Sequence, residues 1–246
     1  MKSVPRLDDP AHVARQYETE HGLAARKNIY RDVTGPDARE LAVQAVLEVE
    51  PSRVLEVGCG EGELAQRLTA EVGTVVAIDQ SPRMVELSAA RDVDARVGDV
   101  QELPFPDESF DAALAAWMLY HVPDLEHGLS ELARVVRPGG RLVATTNSND
   151  HVAELLALGG LERWDMPFSA ENGAPRLERH FETVEWRDAY GTVTLNDIDA
   201  VRSYYGSSDR LSGALDRLPA TLEAPLVARR LPVIFVATKA EEQVSD

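Results

Sequence analysis

"RVLEVGCGEGELAQRL", Arg53 to Leu68, is the stretch whose reading decides the fold. The run RVLEV leads into Gly58, Gly60 and Gly62, and beyond them Leu64, Leu68 and Val72 recur every four residues. A short apolar run suits a strand buried on both faces, and the four-residue spacing suits a helix, so the glycines occupy a strand-to-helix turn. Glycine takes φ > 0 and lets backbone N–H groups approach a ligand with no Cβ in the way. In an open parallel sheet ligands sit at the carboxyl ends of the strands, where this turn lies.

The same alternation extends outward. "TVVAID" (74–79), "DAALAAW" (111–117) and "GRLVATTN" (140–147) are further strand-length apolar runs. Between them, Pro82 opens a helix continued by Met84, Val85 and Leu87 to Ala90; Leu125, Leu129, Leu132 and Val136 make a stripe that stops at Pro138-Gly139-Gly140. Strand alternating with helix predicts an α/β fold, a parallel sheet with helices on both faces. Upstream, residues 8–30 read as one or two helices, Gly35-Pro36 breaks them, and a helix follows over 37–49. Downstream, "VEWRDAYGTVTL" (184–195) and "PVIFVATK" (232–239) read as late strands around a helical insertion at about 196–230. The expected organisation is an N-terminal helical lid, 1–36, on one main domain, 37–246.

With 246 residues, the chain can bury a substantial core, and its net charge of -17 argues against a surface built to neutralise phosphates. No nucleic-acid partner is expected. Cys59 is the sole cysteine, so neither a disulfide nor a Cys-rich metal site is available. No basic-then-apolar leader and no run of eighteen apolar residues occurs; a cytoplasmic protein without a membrane segment is expected.

The glycine spacing discriminates between ligands. A dinucleotide fingerprint, G-x-G-x-x-G, requires glycine where Glu63 stands. Glu61 and Glu63 would also repel a pyrophosphate at the helix start, which disfavours NAD. What stands here is E-x-G-x-G-x-G led by Glu56, a loop suited to a cationic or amino-bearing ligand.

From Val54 to Thr146 the blocks "VLEVGCGEG", "VVAIDQSPRMVELSAAR", "GDVQELPFPDESFD", "MLYHVPD" and "ELARVVRPGGRLVATTN" follow in unbroken order. In these blocks the chain resembles the class I S-adenosylmethionine-dependent methyltransferases of the small-molecule kind often called type 11. The resemblance implies a doubly wound, mostly parallel seven-stranded sheet and S-adenosylmethionine as cofactor. It implies that the backbone at Gly58, Cys59 and Gly60 wraps the methionine part while Glu56 helps to hold its amino group. Asp79 would take both ribose hydroxyls, Gln80 and Met84 would line adenine and ribose, Asp99 and the Val100 N–H would bind the adenine edge, and the Ala116 carbonyl would face the amino group. From the lid segment "ARQYETEHGLAARKNIY", where Val13, Tyr17, His21 and Ala24 share a helical face, Tyr17 and Arg26 would meet the methionine carboxylate.

The expected acceptor is a small molecule with an O, N or C nucleophile, O or N being favoured. The tetrapeptide of adenine N-methylation is absent after the fourth strand, where "AAWMLYHVPD" stands, and Cys59 is spent in the glycine loop rather than placed for cytosine attack. The oxygen cage of the Mg²⁺-dependent catechol type is incomplete at Ala116-Trp117 and "NSND", so no metal is expected. His121 is the candidate general base and His151 the weaker one. Trp117, Tyr120, Trp164, Phe168, Tyr204 and Tyr205 could wall an aromatic acceptor. Two alternatives stand beside this reading: a binder without turnover, and a macromolecular target such as tRNA, for which Arg229-Arg230 is the local basic feature. A monomer or homodimer is expected.

Overall fold

The structure, a computed structural model, describes residues 6–17 and 21–242, without the side chains of His21 and Leu23. Ahead of the sheet stand α1 (Pro10–Gln16), α2 (His21–Asn28) and α3 (Ala38–Leu47). Then follow β1 (Arg53–Val57), α4 (Glu63–Thr69), β2 (Thr74–Asp79), α5 (Pro82–Ala89), β3 (Asp94–Val97), β4 (Phe110–Ala116), α6 (Leu125–Val135) and β5 (Val136–Asn147). The C-terminal part holds α7 (Ala153–Leu158), α8 (Gly173–Leu177), β6 (Thr183–Asp188), β7 (Gly191–Leu195), α9 (Ile198–Gly206), α10 (Asp209–Ser212), β8 (Leu226–Arg230) and β9 (Pro232–Thr238).

Seven strands form one sheet in the order β3-β2-β1-β4-β5-β9-β6. β9 runs antiparallel to both of its neighbours, and the pairings from β3 through β5 are parallel. The order reverses between β1 and β4, so the glycine turn after β1 opens at the topological switch point where such sheets bind ligands. Side chains alternate across β1: Leu55 and Val57 pack with Leu129 and Leu132 of α6, while Val54 packs with Val46 of α3 and Leu68 of α4. Glu56 shares the face of Val54 and is only 2% exposed. The expected doubly wound, mostly parallel seven-stranded sheet is the one found.

Three local expectations change. β3, "DARV", lies at the sheet edge with three of its four residues exposed or nearly so, and a strand that buries so little carries no apolar run to read. The stretch 184–195 is two strands: β6 ends on the main sheet, and β7 pairs with β8 in a separate two-stranded sheet. Gly191 marks the switch, because a Cβ there would lie 2.0 Å from the Thr34 carbonyl oxygen. The insertion read as helical over 196–230 ends in strand β8. Its burial alternates with Ala228 and Arg230 inward, and an arginine on the inner face conceals the period of two.

The stripe expected at Val13, Tyr17, His21 and Ala24 does not run as one face. α1 stops at Gln16 with Tyr17 as its C-cap, and Ala24 is exposed. Residues 1–5 and 18–20 of the lid segment and the His21 side chain lie outside the described residues.

Candidate active site

The turn between β1 and α4 holds Gly58, Gly60 and Gly62 at φ of 66°, 53° and 77°. At Gly60 a Cβ would meet nothing within 4 Å, so this backbone faces open space in which a ligand can approach. Asp79 closes β2 across from it: one carboxylate oxygen accepts from Gly60 N at 2.9 Å and the other from Ser81 N at 2.9 Å. Each oxygen keeps acceptor capacity for one more donor. Burial raises the Asp79 pKa, and the two N–H bonds act against that rise.

Glu56 lies beneath the turn with Oε2 buried and without a hydrogen-bond partner among the described residues. Burial pushes its pKa up to about 8; the Ala65 N–H opposes this, and the charges of Asp79 and Glu63 add to it. A buried orphan acceptor at the ligand side of a glycine turn fits an amino group. Over these residues opens a cavity of about 510 Å³, within the range of small-ligand sites. Gly58, Cys59, Gly60, Asp79, Gln80, Val100 and Ala116 line it, together with Tyr17, Arg26 and His121.

The sequence profile of the family described as "Methyltransferase domain" matches residues 55–144. A relative from Mycobacterium tuberculosis, an uncharacterized methyltransferase, is 31% identical over 222 residues, covering 81% of this chain and 87% of that protein. The chain belongs to the class I S-adenosylmethionine-dependent methyltransferases. The 27-O-demethylrifamycin SV methyltransferase of Amycolatopsis mediterranei is 46% identical over 99 residues, but the match spans 37% of this chain and 36% of that one. Among solved structures, the [4+2]-cyclase SpnF superposes with a TM-score of 0.61 at 18% identity, over 98% of this chain and 100% of that one. At that identity the likeness is one of fold, and the fold hosts more than one chemistry.

The methyltransferase keeps two of the expected cofactor residues off the cavity wall. Met84 is 0% exposed: Ser81 caps α5 through Met84 N, and the side chain turns into the protein beneath the site. Asp99 accepts from Gln101 N and Gln101 Nε2, a turn-forming role, and leaves the cavity to Gly98 and Val100. Cys59 is buried, and burial drives its thiol far above the usual range, so it is no nucleophile.

Hydrogen bonds fix the two histidines of the site in opposite senses. At His121, Nδ1 lies 2.8 Å from the Leu7 carbonyl, which can only accept, so the proton sits on Nδ1 and Nε2 accepts from the Tyr17 hydroxyl at 3.0 Å. At His151, Nδ1 accepts from Leu231 N at 2.9 Å, so the proton sits on Nε2 and is donated to the Tyr30 oxygen at 2.7 Å. Burial holds His121 down at about 4 and His151 at about 3, so both rings are neutral at pH 7. His151 has no free lone pair and is not a base. Tyr17, which lines the cavity, directs its single O–H to His121. Arg26, 5.6 Å from the Tyr17 ring centroid, keeps donors beyond the one given to the Ser207 carbonyl.

Sequence reasoning missed Lys27. It bridges Glu61 at 2.7 Å and Glu63 at 2.9 Å, so α2 is pinned to the glycine turn by the two acids that make the turn unsuited to pyrophosphate. The Ser81 hydroxyl adds a bond of 2.9 Å to the Tyr17 carbonyl. Of the candidate aromatic walls, Trp117, Tyr120, Trp164 and Tyr204 line the cavity. Phe168 and Tyr205 are core: Tyr205 donates to the backbone carbonyls of α7. Arg229-Arg230 is not a surface pair, since Arg229 binds Glu154 and Arg230 turns inward. Among the described residues no cluster of three His, Cys, Asp or Glu could hold a metal, and no helix is long and apolar enough to cross a membrane.

Glu56 gives the site a measurable proton linkage. At pH 7 its carboxyl is mostly protonated, and an ammonium at Oε2 favours the ionised form. S-adenosylhomocysteine binding should therefore release up to about one proton. Calorimetry in buffers of different ionisation enthalpy reads this directly, and Glu56→Gln should abolish it. Buffer-independent binding heat in the wild type would remove the amino group from Glu56.

Proposed function

We propose that this enzyme methylates the oxygen or nitrogen of a small-molecule acceptor held in the cavity, with a hydroxyl acceptor favoured. The observation that carries the proposal is the Tyr17 hydroxyl donating to Nε2 of His121 at the cavity wall. When bound, S-adenosylmethionine supplies a methyl group on a cationic sulfur, already activated for in-line displacement. Gly58 to Gly60 and Asp79 would hold it, Glu56 its amino group and Arg26 its carboxylate. The protein's further task is to align the acceptor and take its proton.

His121 takes that proton through Tyr17. The acceptor O–H would give its proton to the Tyr17 oxygen as Tyr17 passes its own to Nε2, leaving the acceptor oxygen free to take the methyl group that bound S-adenosylmethionine would supply. An imidazole held at about 4 is a weak base, suited to a proton that leaves as the oxygen–carbon bond forms. A free amine acceptor would not need this relay.

A small acceptor is supported by the aromatic residues of the cavity wall and by the paired state of Arg229. The 27-O-demethylrifamycin SV and ubiquinone-biosynthesis O-methyltransferases among the relatives point the same way. We place the enzyme in the cytoplasm as a monomer or homodimer, with α1 and α2 as a cover.

The test is a metabolite panel screened by mass for a gain of about 14 units per transfer, the CH₂ added. Tyr17→Phe and His121→Gln should then each lower turnover of a hydroxyl acceptor by about 100-fold, the lower range for general-base catalysis, and leave an amine acceptor nearly unaffected. Unchanged turnover of a hydroxyl acceptor in both variants would dismiss the relay.

A further inference from the structure

Three features of the cavity have no role in the reading above: Tyr30, Arg230 and Arg39, all of which line it. The Tyr30 oxygen receives the Nε2 proton of His151, whose tautomer is set by Leu231 N, so the Tyr30 hydroxyl proton is left to donate elsewhere. Among the described residues nothing accepts it. Tyr17 and Tyr30 thus present opposite polarity to the cavity: the first offers oxygen lone pairs, the second a proton.

Arg230 is 9% exposed, and one guanidinium nitrogen donates to the carbonyls of Thr34 and Pro36 at 3.1 and 2.6 Å. Its Nε is buried without a partner, and among the described residues no carboxylate forms an ion pair with it. A cation buried without a counter-charge is costly, and an anionic ligand offsets that cost. The Arg230 charge reaches both His151 and Tyr30. Arg39 stacks at 5.6 Å on the ring of Trp117 and also forms no ion pair among the described residues. Trp117 is held there at φ of 55°, a left-handed conformation that is rare for a bulky residue, with its indole N–H on Asn147. Five acids share the cavity wall, Asp37, Glu56, Glu61, Glu63 and Asp79; Asp37 caps α3 through Arg39 N, and the Arg39 charge reaches Glu63, which Lys27 already pairs.

We propose that Tyr30, Arg230 and Arg39 form an anion-binding corner of the acceptor site, and that the acceptor is an aromatic acid whose carboxylate docks there. The corner rests on the methyltransferase reading for its substrate but not for its chemistry: a phenol donor and two guanidinium groups recognise a carboxylate whatever reaction follows. The Trp117, Tyr120 and Trp164 rings supply the aromatic wall. The chain's net charge of -17 disfavours anions in general, so a preference for acids is a local property of this corner.

The probes are benzoate, salicylate and 4-hydroxybenzoate, each against its carboxamide. They are titrated calorimetrically into the full chain with and without saturating S-adenosylhomocysteine. The acids should bind at least about tenfold more tightly than the amides, the margin of one good charge-assisted bond. Arg39→Gln and Tyr30→Phe should each cut that preference to about threefold or less, weakening the acids more than the amides. Arg230 also holds two loop carbonyls and its loss could unfold the chain, so these two variants carry the test. No acid preference in the panel, no binding of either class, or a preference that survives both substitutions overturns the proposal. If the variants instead weaken S-adenosylhomocysteine while the acid preference persists, the corner serves the cofactor's carboxylate and the proposal is also overturned. Failure of the wild type to bind S-adenosylhomocysteine counts against the methyltransferase assignment alone, because the acid and amide comparison can be read on either form.

Discussion

Asp79→Ala should bind S-adenosylhomocysteine about 1.5–3 kcal/mol more weakly than the wild type, roughly 10- to 150-fold in Kd. The carboxylate is set before any ligand arrives: Gly60 N and Ser81 N hold one oxygen each, so no side-chain entropy is lost when two further donors approach. Two ribose hydroxyls can use the remaining acceptor positions, and bonds to an ionised acceptor are the strong ones. Asp79→Asn keeps an oxygen but loses the charge, so an intermediate loss is expected. The comparison is made by calorimetry on variants whose thermal unfolding shows a retained fold. Wild-type affinity in Asp79→Ala would dismiss Asp79 as the ribose ligand.

Stability should pass through a maximum near pH 6.5. On the acid side, His121 is held at about 4 and His151 at about 3 by burial, with Arg26 and Arg230 adding to the effect, against an ordinary value of 6.5. Between those values the unfolded chain carries a proton on each ring that the folded chain does not, so stability falls as pH drops. The two rings together account for about 3 plus about 5 kcal/mol by pH 3, comparable to the whole stability of a domain. On the alkaline side Glu56 acts in the opposite sense. Its folded value of about 8 lies above its ordinary 4.5, so the folded chain holds a proton that the unfolded chain has lost, and stability falls as pH rises toward 8. Below 6.5 two rings outweigh one carboxyl. Urea unfolding across pH 4.5 to 9 measures both limbs; Glu56→Gln should flatten the alkaline one and His151→Asn part of the acid one. Stability that is constant from pH 6.5 down to 4.5 would mean that neither ring is buried as described.

The main sheet could be read from the sequence because its strands are buried on both faces. "RVLEV" and "TVVAID" became β1 and β2 with their bounds unchanged. Where a strand buries little, as β3 does, or buries an arginine, as β8 does at Arg230, the pattern fails because it assumes that apolar means inward. The placement of the glycine turn and of Asp79 at the cavity was readable for a related reason. Gly58 and Gly60 are placed by backbone freedom and Asp79 by its position at the end of β2, which are local properties of the chain.

The sequence by itself determined the fold class, the switch-point turn and the misfit of Glu63 to a dinucleotide, since each depends on residues within a few positions of one another. The tertiary structure alone decided what depends on partners far apart in the chain. The Leu7 carbonyl meets His121 Nδ1 across 114 residues and Leu231 N meets His151 Nδ1 across 80, and those contacts fix which nitrogen carries the proton and so what Tyr17 and Tyr30 face. Lys27 bridges Glu61 and Glu63 from a helix outside the sheet, and Arg230, in the sequence part of a local basic feature, is turned inward on β8 where it pairs with β7. Proton position and charge compensation depend on distance and burial, and the fold assigns both by bringing remote segments together around one cavity.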